Sequence, residues 1–297
     1  MLQALSGTDP GPARLVGFAI EGRPGYGPLE MDAHTDSLRS LMSWWRDAGV
    51  DSAEAAAILE APLPKQAAAA APSAKTPPRK IAKPPAHSVS DNARAAATAA
   101  GTLAELRAAI EAFDGCVLKQ TARQAVFSDG VEGAPVMVIG EAPGRDEDAA
   151  GKPFVGRSGQ LLDRMLGAIG LTRETNVFIS NVIFWRPPGN RPPTQGEIAA
   201  CAPFIERAVE LAKPKLLILS GGFAAQTILK RDDGVMRLRG KRLKHALPGL
   251  TEPLHAMVML HPAYLLRRPQ DKRLAWMDLL ACATWADELG IVRQPGV

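Results

Sequence analysis

Cysteine is scarce in this sequence: Cys116, Cys201 and Cys282 are the three it contains. An odd and small number excludes a disulfide scaffold and is the usage expected of a reducing, cytoplasmic setting. Long apolar runs are missing as well. No stretch reaches the about 18 consecutive apolar residues that a membrane-spanning helix needs, so none is expected. The opening MLQALSGTDPGPARL has neither the basic lead nor the long apolar core of a secretory signal. Neither sign of charge dominates, since the formal net charge is +4 and the pI about 9.0. Such a balance is compatible with a polyanionic partner but does not require one. What is present, 46% hydrophobic and 22% charged residues over 297 positions, is globular composition for one large domain or one domain with an appendage.

The composition shifts near residue 100. Residues 62–100 are rich in Ala, Pro and Lys, with few large apolar side chains to bury, and read as a disordered linker. Its cations Lys75, Arg79, Lys80 and Lys83 make it either a solvated tether or a weak, salt-sensitive attractor of nucleic acid. Residues 1–61 form an appendage, in which HTDSLRSLMSWWRDAGV carries Leu38, Leu41, Met42 and Trp45 at helical spacing before Gly49. This predicts a short amphipathic helix, docked either on the main domain or on a partner. Residues 101–297 form the main domain.

Four apolar runs organise that domain: VMVIG (136–140), VFISN (177–181), LLILS (216–220) and AMVML (256–260). Helical patterns such as SGQLLDRMLGAIG and GEIAACAPFIERAVELA intervene. Continuously apolar strands alternating with helices predict an α/β fold, a four-stranded parallel sheet covered on both faces. Glu141, Asn181, Gly221 and His261 stand at the four strand ends, each 40 residues after the last. Ligands of open α/β sheets bind just beyond the carboxyl ends of the strands, so these residues are expected to share one rim.

Three segments carry candidate chemistry. In GEAPGRDEDAAGKPFVGRSGQLLDR, Gly140 and Gly144 let backbone approach a ligand, and Pro143 stiffens the turn. Glu141 is a candidate to orient water or offset positive charge, with Glu147 and Asp148 as acidic alternatives, and Phe154 is either a core plug or a stacking platform. In HPAYLLRR, His261 can donate to an anionic leaving group, while Leu265 and Leu266 beside Arg267 and Arg268 could wedge a base stack and grip phosphate. RDDGVMRLRGKRLK holds six cations, Arg239 among them, against two acids, and is either a solvated face or a phosphate-binding extension.

GEAPG, EDxxGxPFVGxxGxLLD, NVIxxRPPxNRxP and HPAYLLR, in that order over roughly residues 102–285, resemble the family 4 uracil-DNA glycosylases. The resemblance implies an α/β/α sandwich and a monofunctional DNA-repair enzyme that flips uracil out of single- or double-stranded DNA and hydrolyses its glycosidic bond. It assigns Glu141 and His261 to catalysis. Gly140, Ala142, Phe154 and Asn181 would bind uracil. Pro143, Gly144, Arg239, Leu265 or Leu266, and Arg267 would meet DNA. A monomer with no membrane contact is expected. A lesion-DNA-binding protein without turnover is the alternative, as is an iron–sulfur redox protein. RPPGNRPPTQ lacks the inserted basic, histidine-bearing loop of a branch that traps DNA covalently.

The resemblance also implies a 4Fe-4S cluster held by four cysteines. The matching positions here are Phe113, Cys116, Trp185 and Cys201, so two ligands remain and two are aromatic. The expectation is a chain without a cluster, metal or other cofactor. Phe113 and Trp185 would fill the space, and Cys116 and Cys201 would be small buried groups, with a disulfide between them the lesser option.

Overall fold

The computed structural model describes residues 86–247 and 249–294. The amphipathic helix around Trp45 and the basic linker residues Lys75 to Lys83 lie outside the described residues. Two helices come first, α1 (Ala86–Ala99) and α2 (Leu103–Ala112). A short strand β1 (Ser128–Gly130) leads to β2 (Val136–Gly140), α3 (Arg145–Ala150), α4 (Arg157–Gly167) and β3 (Val177–Asn181). Next are α5 (Gln195–Ala212), β4 (Leu216–Ser220), α6 (Gly222–Leu229) and α7 (Val235–Leu238). The chain continues through β5 (Leu243–His245), β6 (Leu254–Met259), α8 (Pro262–Arg267) and α9 (Lys272–Glu288).

The expected four-stranded sheet is a six-stranded one, in the order β1-β3-β2-β4-β6-β5. Its four inner strands are parallel and coincide with the four apolar runs, whereas β1 and β5 pair antiparallel at the two edges. The edge strands are three residues each, SDG and LKH, too short and polar to announce themselves as apolar runs.

Alternation along each inner strand feeds two cores. Met137, Ile139, Leu217, Leu219, Ala256 and Val258 face α1, α2, α5 and α6. Val136, Val138, Leu216, Ile218, Met257 and Met259 face α4, α8 and α9. Both faces of the parallel strands are thereby kept from water, which is why their sequences are apolar without a break. Chain order places β3 on one side of β2 and β4 on the other, so the direction of winding reverses between β2 and β4. Such a switch point leaves a crevice at the carboxyl ends of the strands.

One boundary differs from the sequence expectation. Residues 86–99, counted with the linker, form α1. The last linker proline is Pro85 and the segment beyond it is alanine-rich, so nothing interrupts a good helix former. Ala93, Ala97 and Ala100 are buried in the first core, and the Arg207 guanidinium on α5 donates twice to the Ala100 carbonyl, at 3.0 and 2.8 Å. These bonds satisfy a carbonyl just past the helix end. Among the described residues, no helix is long and apolar enough to cross a membrane.

Candidate active site

The parallel ladder sets Gly140 opposite Asn181 at the ends of β2 and β3. Beyond them, Val182 N–H donates to the Gly140 carbonyl and Ile183 N–H to that of Glu141, both at 3.0 Å, so the two strand exits stay side by side. Gly140 must be glycine. A Cβ there would lie 2.4 Å from Asn181 Oδ1 and 2.5 Å from Phe154 Cζ. Amide and aromatic ring both close on the bare backbone. The Asn181 side chain is buried at 2% exposure, and no hydrogen bond to it is found among the described residues, which leaves one acceptor and two donors for a ligand.

Phe154 has a left-handed backbone, φ 54°, a conformation that costs a non-glycine residue about 1–3 kcal/mol and needs external support. Its ring lies 5.7 Å from the His261 ring at a 31° tilt. Part of the support comes from Glu147. One carboxylate oxygen accepts from Val155 and Gly156 N–H at 3.0 and 2.9 Å, and the other accepts from Gly144 N–H at 3.1 Å. Asp148 accepts from Arg123 N–H at 2.9 Å and is buried. Both acidic alternatives to Glu141 are therefore engaged with backbone, and Glu141 is the carboxylate with no such tie. Burial raises the proton affinity of Glu141 above its usual range.

His261 caps α8, accepting from Ala263 N–H at Nδ1 over 3.1 Å. A neutral ring that accepts at Nδ1 carries its proton at Nε2. Burial, and then the Arg267 charge, lower its pKa to about 4, so the ring is neutral at physiological pH. Gly221, at φ 97°, lies under this ring: a Cβ there would come within 3.1 Å of His261 Cβ.

Together these groups line a cleft of about 430 Å³. Glu141, Ala142, Pro143, Gly144, Phe154, Asn181, His261 and Arg267 all border it. Four expected residues do not: Gly140, which lies beneath Asn181 and Phe154, and Leu265, Leu266 and Arg239. Leu265 is fully buried in the second core, whereas Leu266, the next residue around the helix, is partly exposed. Arg239 turns inward, pairing with Asp278 at 2.8 Å and donating to the Leu274 carbonyl, with 15% of its side chain exposed. Burial pushes the Asp278 carboxyl up to about 7, against the pull of Arg239. A cation committed to a buried carboxylate is not available to DNA phosphate. The sequence reading gave no role to Ser158, Pro187, Asn190, Arg191 or Tyr264, which also border the cleft. Pro187, Asn190 and Arg191 lie inside the RPPxNR motif, whose spacing was the available signal.

The cluster positions lie together behind this wall. Cys116 and Cys201 are both buried and free, and each thiol influences the proton affinity of the other. Burial keeps the Cys201 thiol well above its usual range and therefore protonated. Phe113 packs edge-on against Phe204 at 5.0 Å, Phe204 against Phe184 at 6.4 Å, and Phe184 against the buried Trp185 at 6.2 Å. Two thiols, a phenyl and an indole cannot supply four thiolates. Among the described residues, no group of three or more His, Cys, Asp or Glu is placed to hold a metal ion. The residues present do not fit the cluster that the resemblance implies.

Residues 127–281 match a model of the uracil DNA glycosylase superfamily. The type-4 uracil-DNA glycosylase of Archaeoglobus fulgidus is 41% identical over 159 residues, which is 52% of this chain and 78% of the relative. That of Pyrobaculum aerophilum is 36% identical over 171 residues, 56% of this chain and 86% of the relative. That of Thermotoga maritima is 34% identical over 163 residues, 53% and 79% respectively. The chain therefore belongs to the uracil-DNA glycosylase superfamily, as a relative of its type-4 members.

The depressed pKa of His261 has a stability signature. The unfolded state binds a proton near pH 6.5 and the folded state only near pH 4, so the stability that neutral His261 contributes is complete above pH 6.5 and is lost as pH falls toward 4. Between pH 7 and pH 4.5, denaturant unfolding of the wild type should lose about 2–3 kcal/mol relative to His261→Gln. Parallel pH profiles for the two proteins would contradict this protonation state.

Proposed function

We propose that this protein is a monofunctional uracil-DNA glycosylase that flips uracil out of DNA and hydrolyses its N-glycosidic bond, leaving an abasic site. The observation that carries the proposal is the convergence of Asn181, Phe154, Glu141 and neutral His261 on one cleft at three strand ends. The relatives' names point to the same substrate.

A base inside a duplex is out of reach of so recessed an amide, so the nucleotide must leave the stack. In the cleft, Phe154 stacks on the base and Asn181 pairs with O4 and N3–H of uracil. Cytosine presents an amine at position 4 and an unprotonated N3, opposite in polarity at both, and the amide held against Gly140 discriminates against it. When the C1′–N1 bond breaks, its electron pair leaves with the base and negative charge develops toward O2. The Nε2–H of His261 is the donor that meets it, and a neutral imidazole does so without giving up a proton. Glu141 orients the water that attacks C1′ and offsets the positive charge on the sugar. Burial, by raising its proton affinity, also suits it to receive the proton that the water loses. Leu266 fills the gap left in the stack, and Arg267, Pro143 and Gly144 meet the backbone. DNA, single- or double-stranded, is the partner of a monomer in this reading, and no residue here requires a membrane or an oligomer.

We also propose that no iron–sulfur cluster or other cofactor takes part. Supporting this are the side chains at two of the four cluster positions, the buried indole of Trp185 and the half-buried phenyl of Phe113, neither of which can ligate iron and which together bury aromatic area worth a few kcal/mol.

Purified protein should release free uracil from uracil-containing DNA without added metal, and His261→Ala should slow that release by about 10²-fold or more. Absence of release at any enzyme concentration would overturn the proposal, and an unimpaired His261→Ala would remove the assigned role of the histidine. Protein prepared anaerobically should carry no stoichiometric iron and no visible absorbance near about 400 nm, the region of cysteine–iron charge transfer. A brown, iron-loaded protein would contradict the cofactor-free reading.

A further inference from the structure

Arg173 lies in the turn between α4 and β3, outside the cleft and outside every motif in the sequence that suggested chemistry. Its side chain is 12% exposed, and all five of its N–H donors are in use. Nε and Nη2 reach Asp163 Oδ1 at 3.0 and 2.8 Å, and Nη1 reaches Asp129 Oδ2 at 2.9 Å. The two remaining donors go to the backbone of the stacking loop, Nη1 to the Pro153 carbonyl at 3.2 Å and Nη2 to the Phe154 carbonyl at 2.8 Å.

These last two bonds fall on the carbonyls of the two peptides that flank the left-handed Cα of Phe154, whose ring borders the cleft. Nothing else described so far grips Phe154 from this side: Glu147 holds the amides of Val155 and Gly156, one step further along. The carbonyl that Arg173 holds is also the atom that requires glycine at 159, where a Cβ would come within 2.0 Å of it. Three separate elements thus meet around Phe154. Strand β1 contributes Asp129, which also pairs with Lys152 at 3.3 Å, helix α4 contributes Asp163 and Gly159, and the α4–β3 turn contributes Arg173.

We infer that Arg173 is a positioning residue for base excision: its guanidinium, anchored by Asp129 and Asp163, holds the Pro153–Phe154 backbone in the conformation that presents the Phe154 ring to the flipped base. The inference rests on the proposed glycosylase activity. Only a planar fork can serve two carboxylates and two carbonyls at once, so lysine, with the same charge and three donors, cannot replace it.

A double-mutant cycle on single-turnover uracil excision tests this. Arg173→Lys should slow excision about tenfold or more while leaving affinity for uracil-free duplex within about twofold. In a Phe154→Leu background the same change should cost less than about twofold, because the residue acts through the ring that has been removed. Asp163→Asn, at a side chain 45% exposed and tolerant of change, should show the same dependence on Phe154 and serves if Arg173→Lys does not fold. A wild-type protein without activity would overturn the glycosylase reading and this role with it. An active wild type in which these substitutions slow excision equally in both backgrounds, or not at all, would overturn the role of Arg173 alone.

Discussion

The site depends on a side chain that is absent. Gly140 closes β2 where the Asn181 amide and the Phe154 ring press on the backbone from two directions, at distances that no Cβ would permit. The parallel register of β2 against β3 fixes the first approach and the left-handed turn at Phe154 fixes the second. With Gly140 bare, the aromatic face of Phe154 and the amide of Asn181 can close on the same point of the cleft. Gly221 repeats the device under His261, at the end of the neighbouring parallel strand β4. The glycines make room, and the parallel ladders decide which groups enter it.

Rigidity around the pocket comes from side chains that hydrogen-bond to backbone. The neutral His261 holds the first turn of α8, and the ionised Glu147 and Arg173 hold three amides and two carbonyls. Each bond to an ionised group is worth more than a neutral one, and each would be expensive to leave half-made in a buried place. On the other face of the sheet the support is apolar. The run of edge-on aromatics from Phe113 to Trp185 lies there. Such contacts contribute through dispersion and buried area.

Much of this was legible in the sequence, and what was not has a physical reason. The four inner strands are fully buried, so their apolar runs coincide with them, and the strand-end residues follow from topology. The edge strands were invisible because pairing on one side only lets SDG and LKH remain short and polar. Helix α1 merges with the linker in composition because alanine counts as small, although Ala93 and Ala97 are the residues that pack. Leu265 and Leu266 differ by one position and about 100° around a helix, which separates a fully buried side chain from a partly exposed one. A basic run cannot show that Arg239 turns toward Asp278, 39 residues later. Nor can it show that Arg173, isolated in a turn, lies at the centre of a network.

The central claim is that the Asn181 amide, held against Gly140 with its hydrogen-bonding groups unused, decides which base is hydrolysed. The direct test is the ratio of uracil to cytosine excision, under single-turnover conditions, in wild type and in Asn181→Asp. Aspartate keeps the shape and removes the donor that uracil O4 requires, so the account predicts that uracil excision falls while the preference over cytosine collapses by about 10²-fold or more. An Asn181→Asp protein that retains the wild-type ratio would contradict it.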